Sequence, residues 1–431
     1  MLFFMKIFSD CGVCVPDILL PAKKDLSSWS VVACDQYTQD SVYWNNVAKA
    51  VGNAPSTLNI ILPELYLDKP DCTNRIAAIR KTMRSYLNDG VFDEPREGFM
   101  YIERTTSYGR KRCGLVCAID LEAYEWKPGN TALIRATEAT IASRIPPRKA
   151  IRDGAPLESP HIMLLVNDSE RILIEEAGKR AKKQKPAYDG DLMLGSGHIK
   201  GWWISEADEV NAVHDALLKL KKDNFLFAVG DGNHSLATAK AVWEEYKQKH
   251  NVTESPVRYA LVEVVNIFDK GLTFEPIHRV VFNANVTELT AFLKDRLGGT
   301  VRTVSSAEEL EKIVHDSTAS FGFVSGSAEG TVYTVLETDI TDLAVSRLQP
   351  LLDEYISERS LTIDYIHGSD EVFRLGERTD AVSLMLPPVD KDSFFATIAT
   401  RGALPRKSFS MGEASEKRFY LECRTLFAED K

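Results

Sequence analysis

A continuous apolar run, Phe225–Val229, leads into Gly230-Asp231-Gly232-Asn233-His234-Ser235. Leu236, Ala239, Trp243 and Tyr246 then recur on one helical face. A buried strand, a glycine-containing loop and a helix start are predicted in that order. Exposed amides and the positive end of a helix dipole suit a phosphate group. Gly230 and Gly232 permit close backbone approach and unusual dihedrals. The amides of Asn233 and Ser235 extend the same cradle. Asp231 suits a magnesium ion or a helix cap. His234 suits donation to a phosphate oxygen or proton transfer. The same residues also suit a tight turn capped by Asp231 or Asn233 with no ligand at all. Neither a P-loop nor Gly-x-Gly-x-x-Gly is present, since Gly195-Ser196-Gly197 is followed by Lys200 where the third glycine belongs. His-Glu-x-x-His and Gly-x-Ser-x-Gly are also absent.

A second constellation runs through Arg135, Thr137, Glu138, Thr140, Arg144, Arg148 and Arg152. Clustered guanidiniums hold phosphate or carboxylate bidentately. Glu138 suits a general base or an arginine partner. Pro146-Pro147 argues against one helix spanning the set. A solvated basic face with a salt-bridged Glu138 is the plainer alternative. Two lesser stations are Pro276-Ile277-His278-Arg279, entering a strand, and Pro405-Arg406-Lys407-Ser408. His278, Arg279 and Lys407 suit anion ligands or ordinary surface charges.

The seven cysteines are scattered, as reduced thiols are. Cys11 and Cys14 have zinc-ligand spacing, but no second pair matches them. Cys113 and Cys117 lie four apart on a predicted strand, hence on one face, and read as buried free thiols.

Four stations in order resemble the uncharacterised family called domain of unknown function 1015. Its members carry Arg-His-Glu-x-Thr, Asp-Gly-His-His-Arg before a helix, Pro-Thr-His-Arg and Pro-x-Lys-Ser-Thr. The matching stretches are Ala136–Thr140, Asp231–Ser235, Pro276–Arg279 and Pro405–Phe409. This chain departs from the pattern at Ala136, Thr137, Asn233, Ser235 and Phe409, which marks a divergent branch. More distantly, the Asp-Gly-x-His loop is similar to the phosphate loop of the ParB/sulfiredoxin-like group, which includes nucleotide-dependent kinases of free serine. That resemblance implies nucleotide phosphates at 230–235 and a base from Glu138. Asn233 stands where sulfiredoxins have a cysteine, so a thiol mechanism is not expected.

The elements that must position these residues follow a mixed α/β rhythm. Strands are predicted at Ser30–Ala33, Ile60–Pro63, Gly98–Arg104, Arg112–Asp120, His161–Val166 and Arg258–Asn266. Helices are predicted at Asp40–Val51 (Val42, Trp44, Val47 and Val51 inward), Asn74–Leu87 and Ser169–Lys183. A capping box at Ser205–Asp208 should open a helix carrying Val210, Val213, Leu217 and Leu220. The last third alternates further helices and strands from Ala307 to Thr400. With 431 residues, two or three domains are expected. The division drawn is 1–130, a phosphate-binding core at 131–285, and 286–431. The fold expected is mixed α/β, a ParB/sulfiredoxin-like core with additional N- and C-terminal α/β parts.

Composition is that of an ordinary globular chain, 44% hydrophobic and 26% charged. The net charge of −10 argues against a broad nucleic-acid surface, and so against a DNA-associated regulator. No stretch reaches the length of a membrane helix. Met1–Phe8 lacks the shape of a secretory signal, Met5 is a second candidate start, and a cytoplasmic protein is expected. The function expected is a nucleotide-dependent phosphotransferase with ATP or ADP and magnesium, acting on a small hydroxylated metabolite. Glu138, Asp231 and His234 would be catalytic. Gly230, Gly232, Asn233, Ser235, Arg144, Arg148, His278, Arg279 and Lys407 would bind phosphate. The alternative is a non-catalytic nucleotide- or metabolite-binding regulatory protein.

Overall fold

The computed structural model describes residues 6–427; the candidate start at Met5 lies outside the described residues. The fold is mixed α/β, with twelve α-helices among the described residues. The chain forms two compact units, Met1–Leu272 with Glu413–Lys431, and Thr273–Gly412. The second unit is therefore an insertion within the first.

The first unit is built on an eleven-stranded mixed sheet. Its path runs through Tyr188–Asp191, Gly197–Ile204, Phe99–Thr106, Lys111–Asp120, Tyr259–Asn266, Met163–Val166, Phe227–Asp231, Ile134–Arg135 and Tyr124–Glu125. A hairpin of Ile7–Phe8 and Val13–Cys14 joins it beside Lys111–Asp120. Side chains alternate between two cores, as strand geometry requires. Leu115, Cys117 and Ile119 enter one core while Val116 enters the other. Cys113 packs beside Cys117 on the same face, as the spacing predicts, and both are free thiols. The expected boundary near 130 falls inside this sheet: Ile134–Arg135 pairs with Tyr124–Glu125. Strands from both sides of that boundary thus share one hydrogen-bonded layer and one core.

A terminal strap, 413–427, returns to the first unit after the insertion. Val32 and Leu19 form single bridges with Phe419 and Cys423, and Arg424–Thr425 pairs with Leu157–Glu158. Under it lies a buried ionic network. Arg418 holds Glu263 and, at 2.7 Å, Glu422. Tyr188 donates to Glu422 at 2.5 Å. Arg424 and Arg152 clasp Glu158 at 2.5 and 2.6 Å. A Cβ at Gly114 would lie 2.5 Å from Glu263 Oε1, so that residue's lack of a side chain makes room for the network.

The second unit carries a six-stranded, all-antiparallel sheet in the order Thr300–Val304, Gly330–Glu337, Ser320–Ser327, Ala381–Met385, His278–Phe282, Thr362–Ile366. Its helices include Ala307–His315 and Lys391–Arg401.

Several expected elements change. Val32 makes one bridge, to Phe419, rather than a strand. Ile60 ends a short 3₁₀ turn, Thr57–Ile60, and Ile60–Pro63 forms no strand. The helix expected at Ser169–Lys183 is shorter, Ile174–Ala181, because Asp168 accepts the amides of Ile172 and Leu173 and holds a turn there. The capping box is absent: Ser205 accepts from Arg96 at 2.6 Å, and Ala207–Leu220 starts without a side-chain cap. Val42 faces solvent, and in the helix Cys72–Asn88 the buried residues are Ile76, Ile79, Met83 and Tyr86.

Candidate functional site

The strand Phe227–Asp231 is buried at Phe227–Val229 and lies between Met163–Val166, antiparallel, and Ile134–Arg135, parallel. Gly230 is its half-buried penultimate residue. Gly232 then takes a left-handed conformation, φ +81°, and begins the helix Asn233–His250. A Cβ there would lie 3.1 and 3.2 Å from Ile162 Cγ1 and Cα, so glycine is required for both conformation and space. No side chain caps this helix start. Its first-turn amides and dipole therefore retain the capacity to hold an anion.

Asn233 faces inward instead. Its Oδ1 accepts the Thr137 N–H at 3.1 Å, and its Nδ2 donates to Thr137 Oγ1 at 3.2 Å. Thr137 Oγ1 in turn donates to the Val229 carbonyl at 2.5 Å. Ile141 N–H donates to His234 Nε2 at 3.3 Å, so a neutral His234 carries its proton on Nδ1. Two clasps thus tie the 137–141 segment to the helix start across 96 and 93 residues of chain. The half-buried Glu138 lies between them in sequence. The segment of the expected base and the expected phosphate loop are brought together.

Asp231 is less suited to a metal than its type predicts. One oxygen accepts the Gly232 N–H at 2.9 Å, and the other lies 3.4 Å from Lys417 Nζ. Both groups are largely buried, with side-chain exposures of 20% and 11%. An ammonium on the outer oxygen occupies the place a magnesium ion would take, so the donor set does not fit that ion. Ser235 Oγ lies 2.9 Å from His161 Nε2, and His161 Nδ1 lies 2.9 Å from the Tyr420 hydroxyl. Cys34 N–H donates to the same hydroxyl at 3.2 Å. When Tyr420 donates to Nδ1, His161 carries its proton on Nε2 and donates to Ser235, whose own proton faces outward to another acceptor.

The arginines part company. Arg135 is buried over the Phe225 ring at 4.2 Å, and burial lowers its pKa. Its Nε donates to the Ala132 carbonyl at 2.8 Å. Arg148 is held by Glu64 Oε1 at 2.9 and 2.5 Å, and Arg152 by Glu158. Arg148 is therefore an ion-pair partner rather than a ready phosphate ligand. Arg144 is exposed, and no acidic side chain pairs with it among the described residues. No single helix spans the cluster, as Pro146-Pro147 predict: Arg135 lies on a strand, Arg144 in a 3₁₀ turn and Arg148 and Arg152 on the helix Ile145–Arg152. The two prolines occupy the first turn of that helix, where a missing N–H costs nothing. That helix packs on Asn233–His250.

The remaining stations belong to the second unit. His278 Nδ1 accepts the Leu386 N–H at 3.1 Å, and burial, then Arg279, lower its pKa to about 4. Arg279 is fully buried, donates to Gln349 at 2.9 Å and to the Ile277 carbonyl, and lies over the Tyr365 ring. Burial lowers its pKa to about 10. These two side chains serve the unit's own packing and are corrected from phosphate ligands to structural groups. Lys407 is exposed in a left-handed turn, φ +58°, where Ser408 donates to the Pro405 carbonyl at 2.5 Å.

Sequence reasoning missed His161, Lys417 and Tyr420 as partners of the loop. They lie 74 to 259 residues from the groups they touch, and no local pattern marks them. A groove of about 580 Å³, lined by Trp44, Tyr66, Arg75 and Tyr86, contains none of the expected site residues.

Comparison with solved structures finds distant likenesses. One is a conserved hypothetical protein from Pyrococcus furiosus, 11% identical, covering 72% of this chain and 97% of that one, with TM-score 0.36. Another is a free serine kinase mutant in complex with AMP, 10% identical, covering 72% and 92%, with TM-score 0.38. A third is SbnI with a C-terminal truncation from Staphylococcus aureus, 9% identical, covering 71% and 85%, with TM-score 0.38. At these scores they supply no residue correspondence. No curated protein matches the chain. The family model described as protein of unknown function (DUF1015) matches residues 16–355, and the chain belongs to that family.

Proposed function

We propose that the loop 230–235 binds the phosphates of a nucleotide and that the chain is a nucleotide-dependent phosphotransferase for a small hydroxylated metabolite. The observation that carries this reading is the pair of clasps, Thr137–Asn233 and Ile141–His234, at a helix start with no side-chain cap. They bring the Glu138 segment to the place where backbone amides favour an anion. Phosphates lie over the amides of Asn233–Ser235, since Asp231 holds the Gly232 N–H. Arg144, exposed and with no acidic partner among the described residues, neutralises developing charge, and Glu138 takes the proton of the acceptor hydroxyl. His234 and Ser235 orient the transferred group. Lys417, already beside Asp231, supplies positive charge from the strap. A divalent ion accompanying the nucleotide is held by the phosphates and not by Asp231.

Isothermal titration with ATP, ADP and CTP, with and without magnesium, tests the proposal. Heat is expected for at least one nucleotide, reduced in Gly232→Val and unaltered in its magnesium dependence by Asp231→Asn. Absence of heat for all three overturns it. A second reading, a non-catalytic nucleotide-binding regulator, is favoured by the number of site groups already paired internally: Asp231, Arg148, Thr137 and Asn233. Binding without phosphate transfer across a panel of hydroxylated acceptors selects it.

A further inference from the structure

The cysteine pair with zinc-ligand spacing is broken by the fold. Cys14 lies in a small separate cluster with Ala118 and Tyr259, while Cys11 enters the main core. Yet Cys11 meets other donors. It sits at the tip of the hairpin Ile7–Phe8/Val13–Cys14, beside Asp10, opposite His214 of the helix Ala207–Leu220. The Asp10 carboxylate, the Cys11 thiol and the His214 imidazole all lie within 4.8 Å of one another.

The three donors are preset. His214 Nε2 faces both Asp10 oxygens at 2.9 and 3.0 Å. Its ring stacks on Phe8, centroids 4.0 Å apart and planes 8° from parallel, which fixes its direction. The hairpin tip is tied down: Cys11 N–H donates to the Phe8 carbonyl at 3.2 Å, and Asp120 N–H donates to the Gly12 carbonyl at 2.9 Å. A Cβ at Gly12, φ +66°, would lie 2.6 Å from Ala123 Cβ, so the tip presses directly on the next element. Cys11 is buried, His214 half-buried and Asp10 exposed, so the cluster opens to solvent on the Asp10 side. Lys221 Nζ donates to the Asp10 carbonyl at 2.8 Å and leaves both carboxylate oxygens to His214.

We propose that Asp10, Cys11 and His214 form a site for a borderline divalent transition metal, zinc foremost, with water in the fourth position. One thiolate, one carboxylate and a neutral imidazole cancel a 2+ charge without remainder. Mixed sulfur, nitrogen and oxygen donors select zinc or cobalt over magnesium or calcium. The ion replaces the thiol proton and the hydrogen that His214 shares with Asp10, so the ligand atoms close from their present separation onto a common centre. The geometry also gives the ion a structural effect, because its ligands join the N-terminal hairpin to a helix residue 204 positions away in sequence.

The site is independent of the phosphate loop, and cobalt(II) is the probe. Titrating the metal-free full-length protein should give one equivalent bound, with a near-ultraviolet sulfur-to-cobalt charge-transfer band and a raised melting temperature. The half-buried control substitutions Cys72→Ser and Cys113→Ser should keep the band. Cys11→Ser should abolish it. His214→Gln and Asp10→Asn, at partly exposed positions and therefore fold-sparing, should weaken binding by at least about 100-fold. A wild-type protein that binds no cobalt, or a band that survives His214→Gln, overturns the proposal.

Discussion

Asn233→Ala isolates the contact that joins the Glu138 segment to the loop. The change deletes both hydrogen bonds to Thr137 and leaves the Thr137 N–H, in a residue only 1% exposed, with no acceptor. A buried unsatisfied amide costs roughly 1–3 kcal/mol, and the lost amide–hydroxyl bond about 1 kcal/mol more. The expected loss is therefore about 3 kcal/mol in the stability of the first unit. All six tryptophans lie between Trp29 and Trp243, so their fluorescence in a urea titration reports the first unit alone. With a urea slope of about 3 kcal/mol/M, the midpoint should fall by about 1 M. Thr137→Val keeps the backbone N–H but removes the hydroxyl that Asn233 Nδ2 bonds. The double mutant should thus be less damaged than the sum of the singles by about 1 kcal/mol. Asn233→Asp retains the acceptor and loses the donor, and should fall between wild type and Asn233→Ala. A loss below about 0.5 kcal/mol for Asn233→Ala, or additive singles, would refute the clasp as the link between the two segments.

His278 gives the second unit a pH dependence. Its folded pKa of about 4 lies below the ordinary 6.5, so between those values the unfolded chain binds more protons. Its contribution is complete above pH 6.5 and is lost as pH falls toward 4, by about 3 kcal/mol in all. Far-ultraviolet circular dichroism melts should show His278→Asn, which keeps an acceptor for Leu386 N–H, flattening that part of the curve; an unchanged slope contradicts the assignment. Arg418→Met leaves Glu263 and Glu422 buried without their shared cation and should cost the first unit about 3–5 kcal/mol. Adding Glu263→Gln should restore part of that loss in the same tryptophan-monitored titration, and a loss below about 1 kcal/mol would deny the network its role.

The loop itself was legible because its signal is local. An apolar run, two glycines and a 3.6-residue stripe lie within 24 residues, and the strand, the turn and the helix appear where they imply. The arginine cluster was legible by type but not by use. Arg148 answers to Glu64, 84 residues earlier, and Arg135 lies over Phe225. Nothing in the local spacing encodes those partners. Asp231 reads as a metal ligand until Lys417 is seen beside it, and Lys417 sits in a strap with no helical or strand period to announce it. His278 and Arg279 read as surface charges because polar residues are usually exposed. Here Gln349 and the Ile277 carbonyl satisfy Arg279, and Leu386 N–H satisfies His278, which makes their burial affordable. The insertion was illegible for a related reason: its two ends, near 273 and 412, are marked by contacts and not by composition.

The strap has a consequence for the order in which the molecule is made. The second unit, Thr273–Gly412, is translated in full before Lys417, Arg418, Tyr420, Glu422 and Arg424. At that moment Glu158 has Arg152 but not Arg424, Glu263 lacks Arg418, and Asp231 and His161 lack Lys417 and Tyr420. Domains generally fold as units during synthesis, N-terminal parts first. In this chain the inserted unit is the one whose sequence is complete first. The first unit waits for the strap, and the loop 230–235 gains Lys417 only after the inserted unit has been translated.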